Sequence, residues 1–115
     1  PIGNLGLSNG ARSGLTGFIA GLARSGVAGS NVTINNLLPG AFDTDRLRTT
    51  MAAAAQKAGQ TMDAALVARG NSVPAKRLGR PDEFGAICAF LCSQHAGYIN
   101  GQNVLADGGA YPGTF

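Results

Sequence analysis

Asn35-Asn36-Leu37-Leu38-Pro39-Gly40-Ala41-Phe42-Asp43-Thr44-Asp45 is the stretch on which the fold turns. A β-favouring run, Val32, Thr33 and Ile34, leads into it, and Pro39-Gly40 breaks that run, because this pair sustains neither a ladder nor a helix. Asn31 to Leu38 therefore reads as a strand, with apolar residues on both faces near its end, as in a buried parallel sheet. Asp43, Thr44 and Asp45 stand directly before a helix-favouring segment, where their side-chain oxygens can cap its first turn. A strand end, a tight turn and a helix start are thus collected in one short stretch. In a parallel α/β sheet that is the crevice at the carboxyl ends of the strands, where ligands bind.

Downstream, Leu47 to Arg69 is alanine-rich and helix-favouring, with an interruption at Gly59-Gln60. Two helices, or one helix and a mobile flap, fit it equally well. Beside a strand-end crevice such a segment is a candidate substrate lid. Gly70 to Gly79 reads as loop, and Arg80-Pro81-Asp82-Glu83 as a helix start: proline gives up no needed donor in the first turn, and the acids favour the positive end. Phe84, Ile87, Cys88, Leu91 and Cys92 share a face, so Pro81 to Ser93 is expected to be a core helix with its two thiols reduced and buried. Tyr98-Ile99-Asn100-Gly101 turns the chain, Gln102 to Ala106 reads as a second strand, and Asp107-Gly108-Gly109 ends it.

Upstream, Leu5 to Ser25 reads as a helix, because Ala11, Leu15, Phe18, Ile19 and Leu22 recur at helical spacing. Gly10, Gly14, Gly17 and Gly21 form a second stripe on one narrow face. Each glycine costs about 1 kcal/mol of helix propensity relative to alanine, so the stripe implies close approach of another backbone. Val27 to Ser30 reads as a turn.

With 115 residues, 44% hydrophobic and 13% charged, the chain suits one ordinary folded domain. The net charge of +3 is spread along the sequence, and without tryptophan or an aromatic platform nothing marks a nucleic-acid surface. No run has the length of a membrane span and no signal peptide is evident, so the expected location is cytoplasmic. Cys88, Cys92 and the lone His95 supply too few ligands for a structural zinc site, and no metal is expected. His95, just past a helix end, reads as a helix-end contact.

The order helix, strand, helices, strand is one crossover unit preceded by a helix. Two parallel strands with two apolar faces do not make an independent sheet, so the chain reads as part of a domain. It resembles the carboxyl-terminal half of a short-chain dehydrogenase/reductase of the 3-oxoacyl-acyl-carrier-protein reductase type. The resemblance rests on Asn35 through Pro39-Gly40 to Thr44, on Leu78-Gly79-Arg80-Pro81-Asp82-Glu83, and on Tyr98-Ile99-Asn100-Gly101-Gln102 leading to Asp107-Gly108-Gly109, in the family's order and spacing.

The resemblance implies an α/β fold, residues 1–115 being the carboxyl-terminal part of a Rossmann-type doubly wound parallel sheet. It implies an NAD(P)-dependent oxidoreductase acting on a carbonyl or alcohol, and a homodimer or homotetramer. By match, Pro39, Gly40, Phe42 and Thr44 would line the nicotinamide end of NAD or NADP, and Asn9 would reach a ribose hydroxyl. A turn supplies the backbone donor and acceptor that a carboxamide wants, and threonine supplies a hydroxyl. The family's catalytic tyrosine and lysine stand four residues apart at the start of the helix corresponding to Leu5–Ser25. Setting Gly14-Leu15-Thr16 against the family pattern places Leu5 at the tyrosine position and Asn9 at the lysine position. Neither can do the proton chemistry, so no catalytic residue is intact on this alignment, and Ser8 is the nearby hydroxyl. The glycine-rich phosphate turn, ribose-binding acid and catalytic serine belong to the family's amino-terminal half, so this chain alone is expected to be inactive. The alternative is a catalytically weak or inactive relative that keeps the scaffold for NAD(P) binding or assembly.

Overall fold

The structure is a computed structural model that describes residue 3 and residues 5–113. Its elements are α1 (Gly6–Ala23), a 3₁₀ turn (Gly26–Ser30), β1 (Asn36–Pro39), α2 (Asp45–Lys57), α3 (Met62–Asn71), α4 (Pro81–Leu91), a second 3₁₀ turn (Gln94–Ala96) and β2 (Asn103–Ala106). β1 and β2 pair directly. Asn36 N–H donates to Gln102 C=O and Gly40 N–H to Ala106 C=O, so partner numbers rise together and the strands are parallel. This is the expected α/β arrangement, with the crossover running through α2, α3 and α4. The chain forms two compact units, Pro1–Leu37 with Ala89–Val104 and Leu38–Cys88 with Leu105–Phe115.

In the first unit, α1 ends where Arg24 N–H donates to Gly21 C=O and Ser25 N–H to Leu22 C=O, while the Arg24 guanidinium donates to Ala20 C=O at 2.7 Å. These donors satisfy carbonyls that a helix end leaves open. The ladder begins at Asn36, not at Asn31 as the β-branched run suggests. Ile34 explains the difference: its N–H donates to the Asn100 side-chain oxygen at 2.9 Å, and its C=O accepts from Gly101 N–H. A side chain and a turn thus take the partners that a neighbouring strand would otherwise supply. The Asn100 amide also donates to Ala23 C=O at 2.6 Å, tying the end of α1 to the strand approach.

In the second unit, the interrupted alanine-rich segment resolves into two helices. Gly59, at φ 61°, closes the first, and Thr61 caps the second by accepting Ala64 N–H. α2 and α3 pack through Ala55, Ala65 and Leu66, which with Ala23, Val73 and Ala96 make up the buried apolar set among the described residues. None of the described large side chains is fully enclosed.

α4 departs from the expected core helix. It stops at Leu91, has no buried residue, and leaves both Cys88 and Cys92 exposed as free thiols. Helical periodicity identified the apolar face, of which Phe84, Ile87 and Leu91 are half-buried, but full burial needs a larger partner surface than the described residues supply.

Candidate functional site

The turn after β1 is held from two sides. Gly40 allows a close approach, since a Cβ there would fall against Asp107 Cα and lie 2.6 Å from Asp107 Cβ. Phe42 and Gly79 form an isolated parallel bridge, with Asp43 N–H donating to Gly79 C=O at 2.9 Å and Gly79 N–H to Ala41 C=O at 3.0 Å. The Phe42 ring covers Gly79, where a Cβ would meet it at 2.6 Å, and stacks edge-on against Phe84 with centroids 5.3 Å apart. Phe42 is therefore half-buried in packing, whereas Pro39, Gly40 and Thr44 are exposed.

Thr44 is the N-cap of α2, its Oγ1 accepting Leu47 N–H at 3.3 Å. That bond uses an oxygen lone pair and leaves the hydroxyl hydrogen for another acceptor. Arg48 fixes the preceding residue through two bonds of 2.8 Å to the Asp43 carboxylate. Pro39, Gly40 and Thr44 consequently present an open backbone and a hydroxyl on a braced turn, a chemistry that fits the carboxamide end of a nicotinamide.

Asn9 and Leu5 belong to the other unit, at the start of α1. Leu5 stands outside the helix as its N-cap residue and is exposed; Asn9 is half-buried in the first turns. Ser8, also half-buried, accepts a hydrogen bond from Arg12 Nε at 3.1 Å, one helical turn on.

Behind the strand-end turn lies an open cavity of about 290 Å³ lined by Phe42, Arg77, Glu83, Leu105, Asp107 and Gly108. Its charged groups are already engaged. Arg77 grips Glu83 by two bonds of 2.7 and 2.8 Å, and Glu83 also accepts Arg80 N–H at 2.7 Å, as in half of a capping box. These bonds, the Arg77 one first, hold the Glu83 carboxyl down from its ordinary 4.5 to about 2. Asp107 accepts Gly109 and Tyr111 N–H, and Gly108 C=O accepts Ala75 N–H. The sequence reading singled out Glu83 as a helix-start acid and missed these ties. Arg77 six residues before Glu83 was the signal available for one of them.

Among the described residues, no cluster of three or more His, Cys, Asp or Glu side chains could hold a metal ion, and no helix is long and apolar enough to cross a membrane.

Comparison with known proteins agrees with this architecture. Residues 2–111 match the family described as Enoyl-(Acyl carrier protein) reductase. The chain is 38% identical over 112 residues to the 3-oxoacyl-acyl-carrier-protein reductase of Vibrio cholerae, covering 96% of this chain and 41% of that protein. The structure of YwfH, an NADPH-dependent reductase involved in bacilysin biosynthesis, superposes with a TM-score of 0.86 at 30% identity, over 98% of this chain and 42% of that one. L-sorbose reductase from Gluconobacter frateurii, solved with NADPH and L-sorbose, gives 0.83 at 27% identity, over 91% and 40% of the two chains. The chain thus spans about two fifths of the length of the curated relatives and structures it matches. With the family match over residues 2–111 and the fold in agreement, it belongs to the short-chain dehydrogenase/reductase family and corresponds to the carboxyl-terminal part of those proteins.

Proposed function

We propose that the chain is the carboxyl-terminal portion of a single Rossmann-like domain in a longer polypeptide, an NAD(P)-dependent oxidoreductase acting on a carbonyl or alcohol. The observation that carries this reading is the braced turn after β1, with Pro39, Gly40 and Thr44 exposed and the Thr44 hydroxyl hydrogen available. Pro39, Gly40 and Thr44 receive the nicotinamide carboxamide, the Phe42 ring supports the turn from behind, and Asn9 contributes a ribose contact. α2 and α3 serve as the substrate lid. The pyrophosphate is bound by the amino-terminal portion, so this chain by itself binds the dinucleotide weakly. The assembled protein is a cytoplasmic homodimer or homotetramer.

Leu5 and Asn9 favour a second reading, in which the parent keeps the scaffold for NAD(P) binding or assembly and has lost catalysis. The two readings separate on the parent polypeptide. NADPH is titrated by fluorescence, and turnover is followed over a panel of 3-oxoacyl thioesters, simple ketones and alcohols. Binding with turnover supports the oxidoreductase, binding without turnover supports the scaffold, and no binding overturns both.

A further inference from the structure

Asn100 and Gly101 form the turn that ties the end of α1 to the approach of β1, and the fold dictates both residue types. The half-buried Asn100 amide bridges the two elements, its Oδ1 accepting Ile34 N–H at 2.9 Å and its Nδ2 donating to Ala23 C=O at 2.6 Å. That bridge needs one short side chain that is donor and acceptor at once. Gly101 follows at φ 70°, where a side chain is strained, and a Cβ there would stand 3.3 Å from Ala23 Cβ. Its N–H donates to Ile34 C=O at 2.9 Å. The junction thus imposes an asparagine-glycine dipeptide, which is chemically labile because no Cβ shields the glycine nitrogen from the preceding side-chain carbonyl carbon. We propose that Asn100 is a self-modification site, a deamidation site kept latent by its own hydrogen bonds and exposed when the end of α1 separates from the approach of β1.

The reaction needs only water. Base takes the proton from Gly101 N, the nitrogen attacks Asn100 Cγ, and a C–N bond forms while Nδ2 leaves as ammonia. The cyclic imide takes up one water at either carbonyl, giving aspartate or isoaspartate. One amide and one water are consumed, and one acid and one ammonia are formed. In the folded chain both reacting groups are held elsewhere: Gly101 N–H is spent on Ile34, and the Asn100 amide is fixed at both ends. Asn35 locks the same turn from the other side, donating to Ile99 C=O at 2.8 Å and accepting Gln102 N–H at 3.0 Å. Conversion also removes the donor to Ala23 and sets a carboxylate oxygen against that carbonyl, so a chain that has opened and reacted does not re-form the tie.

The test follows deamidation of the parent polypeptide in warm, mildly alkaline buffer, resolved residue by residue by mass spectrometry of its peptides. Asn9-Gly10, the same dipeptide within α1, is the internal comparison. In urea the two sites are expected to convert at similar rates. Without urea, Asn100 is expected to slow by about 10²-fold, the combined worth of the three bonds that hold it and Gly101. Asn35→Ala removes the outer lock and leaves the reacting groups intact, and is expected to restore about tenfold of the rate at Asn100 and none at Asn9. If that variant unfolds, both sites accelerate together, and the comparison of the unaltered protein with and without urea decides alone. Conversion of Asn100 as fast in the folded protein as in urea, no conversion in urea, or a rate in folded Asn35→Ala equal to that of the unaltered protein overturns the inference. None of these readouts involves cofactor or turnover, so their failure leaves the oxidoreductase reading standing.

Discussion

Gly40 has its identity imposed by a neighbour, since any Cβ would collide with the Asp107 backbone. A glycine kept only for a nicotinamide contact would tolerate alanine in the absence of ligand. Gly40→Ala is therefore expected to destabilise the ligand-free protein by about 1–3 kcal/mol, the range for overpacking, measured by urea unfolding. An unchanged unfolding midpoint would show that Asp107 has room to yield.

Elements were legible in the sequence where their determinants are local. Pro39-Gly40 ended β1, Thr44 capped α2, Gly59 divided the alanine-rich segment, and Pro81 with its acids began α4, because each acts within a few residues of itself. The start of β1 was not legible, since it depends on Asn100, far along the chain from Ile34 and Ala23. The candidate site divided in the same way: the strand-end turn could be read directly, while the inward packing of Phe42 required coordinates. The α4 start also carries a pH dependence. Glu83 is depressed to about 2 from 4.5, first by Arg77 and then by Arg80 N–H, so its folded form binds protons less readily than its unfolded form. Its contribution to stability is fully present above about pH 4.5 and is lost as pH falls through about 2. Acid unfolding followed by circular dichroism should lose part of its slope in that window in Glu83→Gln. An identical slope would mean that the Arg77 pairing is not maintained in solution. Because the pair is solvent-exposed, added salt should weaken it.

For the molecule as a whole, the first helix carries more cost than its own chain explains. Among the described residues, nothing beyond the helix's own neighbouring backbone comes within 4 Å of where Cβ atoms of Gly10, Gly14, Gly17 and Gly21 would stand, so no packing contact there demands glycine at these four positions. At about 1 kcal/mol each, four glycines weaken the helix by about 4 kcal/mol relative to alanine. Leu15 and Phe18 on the same helix are 55% and 66% exposed, which leaves apolar surface beside the stripe. A second copy of the helix crossing at the glycines would offset both costs, through close backbone contact and burial of the flanking side chains. Two substitutions in the parent polypeptide separate this from an unpartnered face. If the face is free, Gly17→Ala stabilises the helix by about 1 kcal/mol and Gly17→Leu is tolerated, with the mass by light scattering unchanged in both. If the helices pair, Gly17→Leu forces them apart and lowers the mass to that of a smaller species, while Gly17→Ala weakens association without unfolding the chain. We expect the second pattern, and a mass unaltered by Gly17→Leu would remove the first helix from the assembly interface.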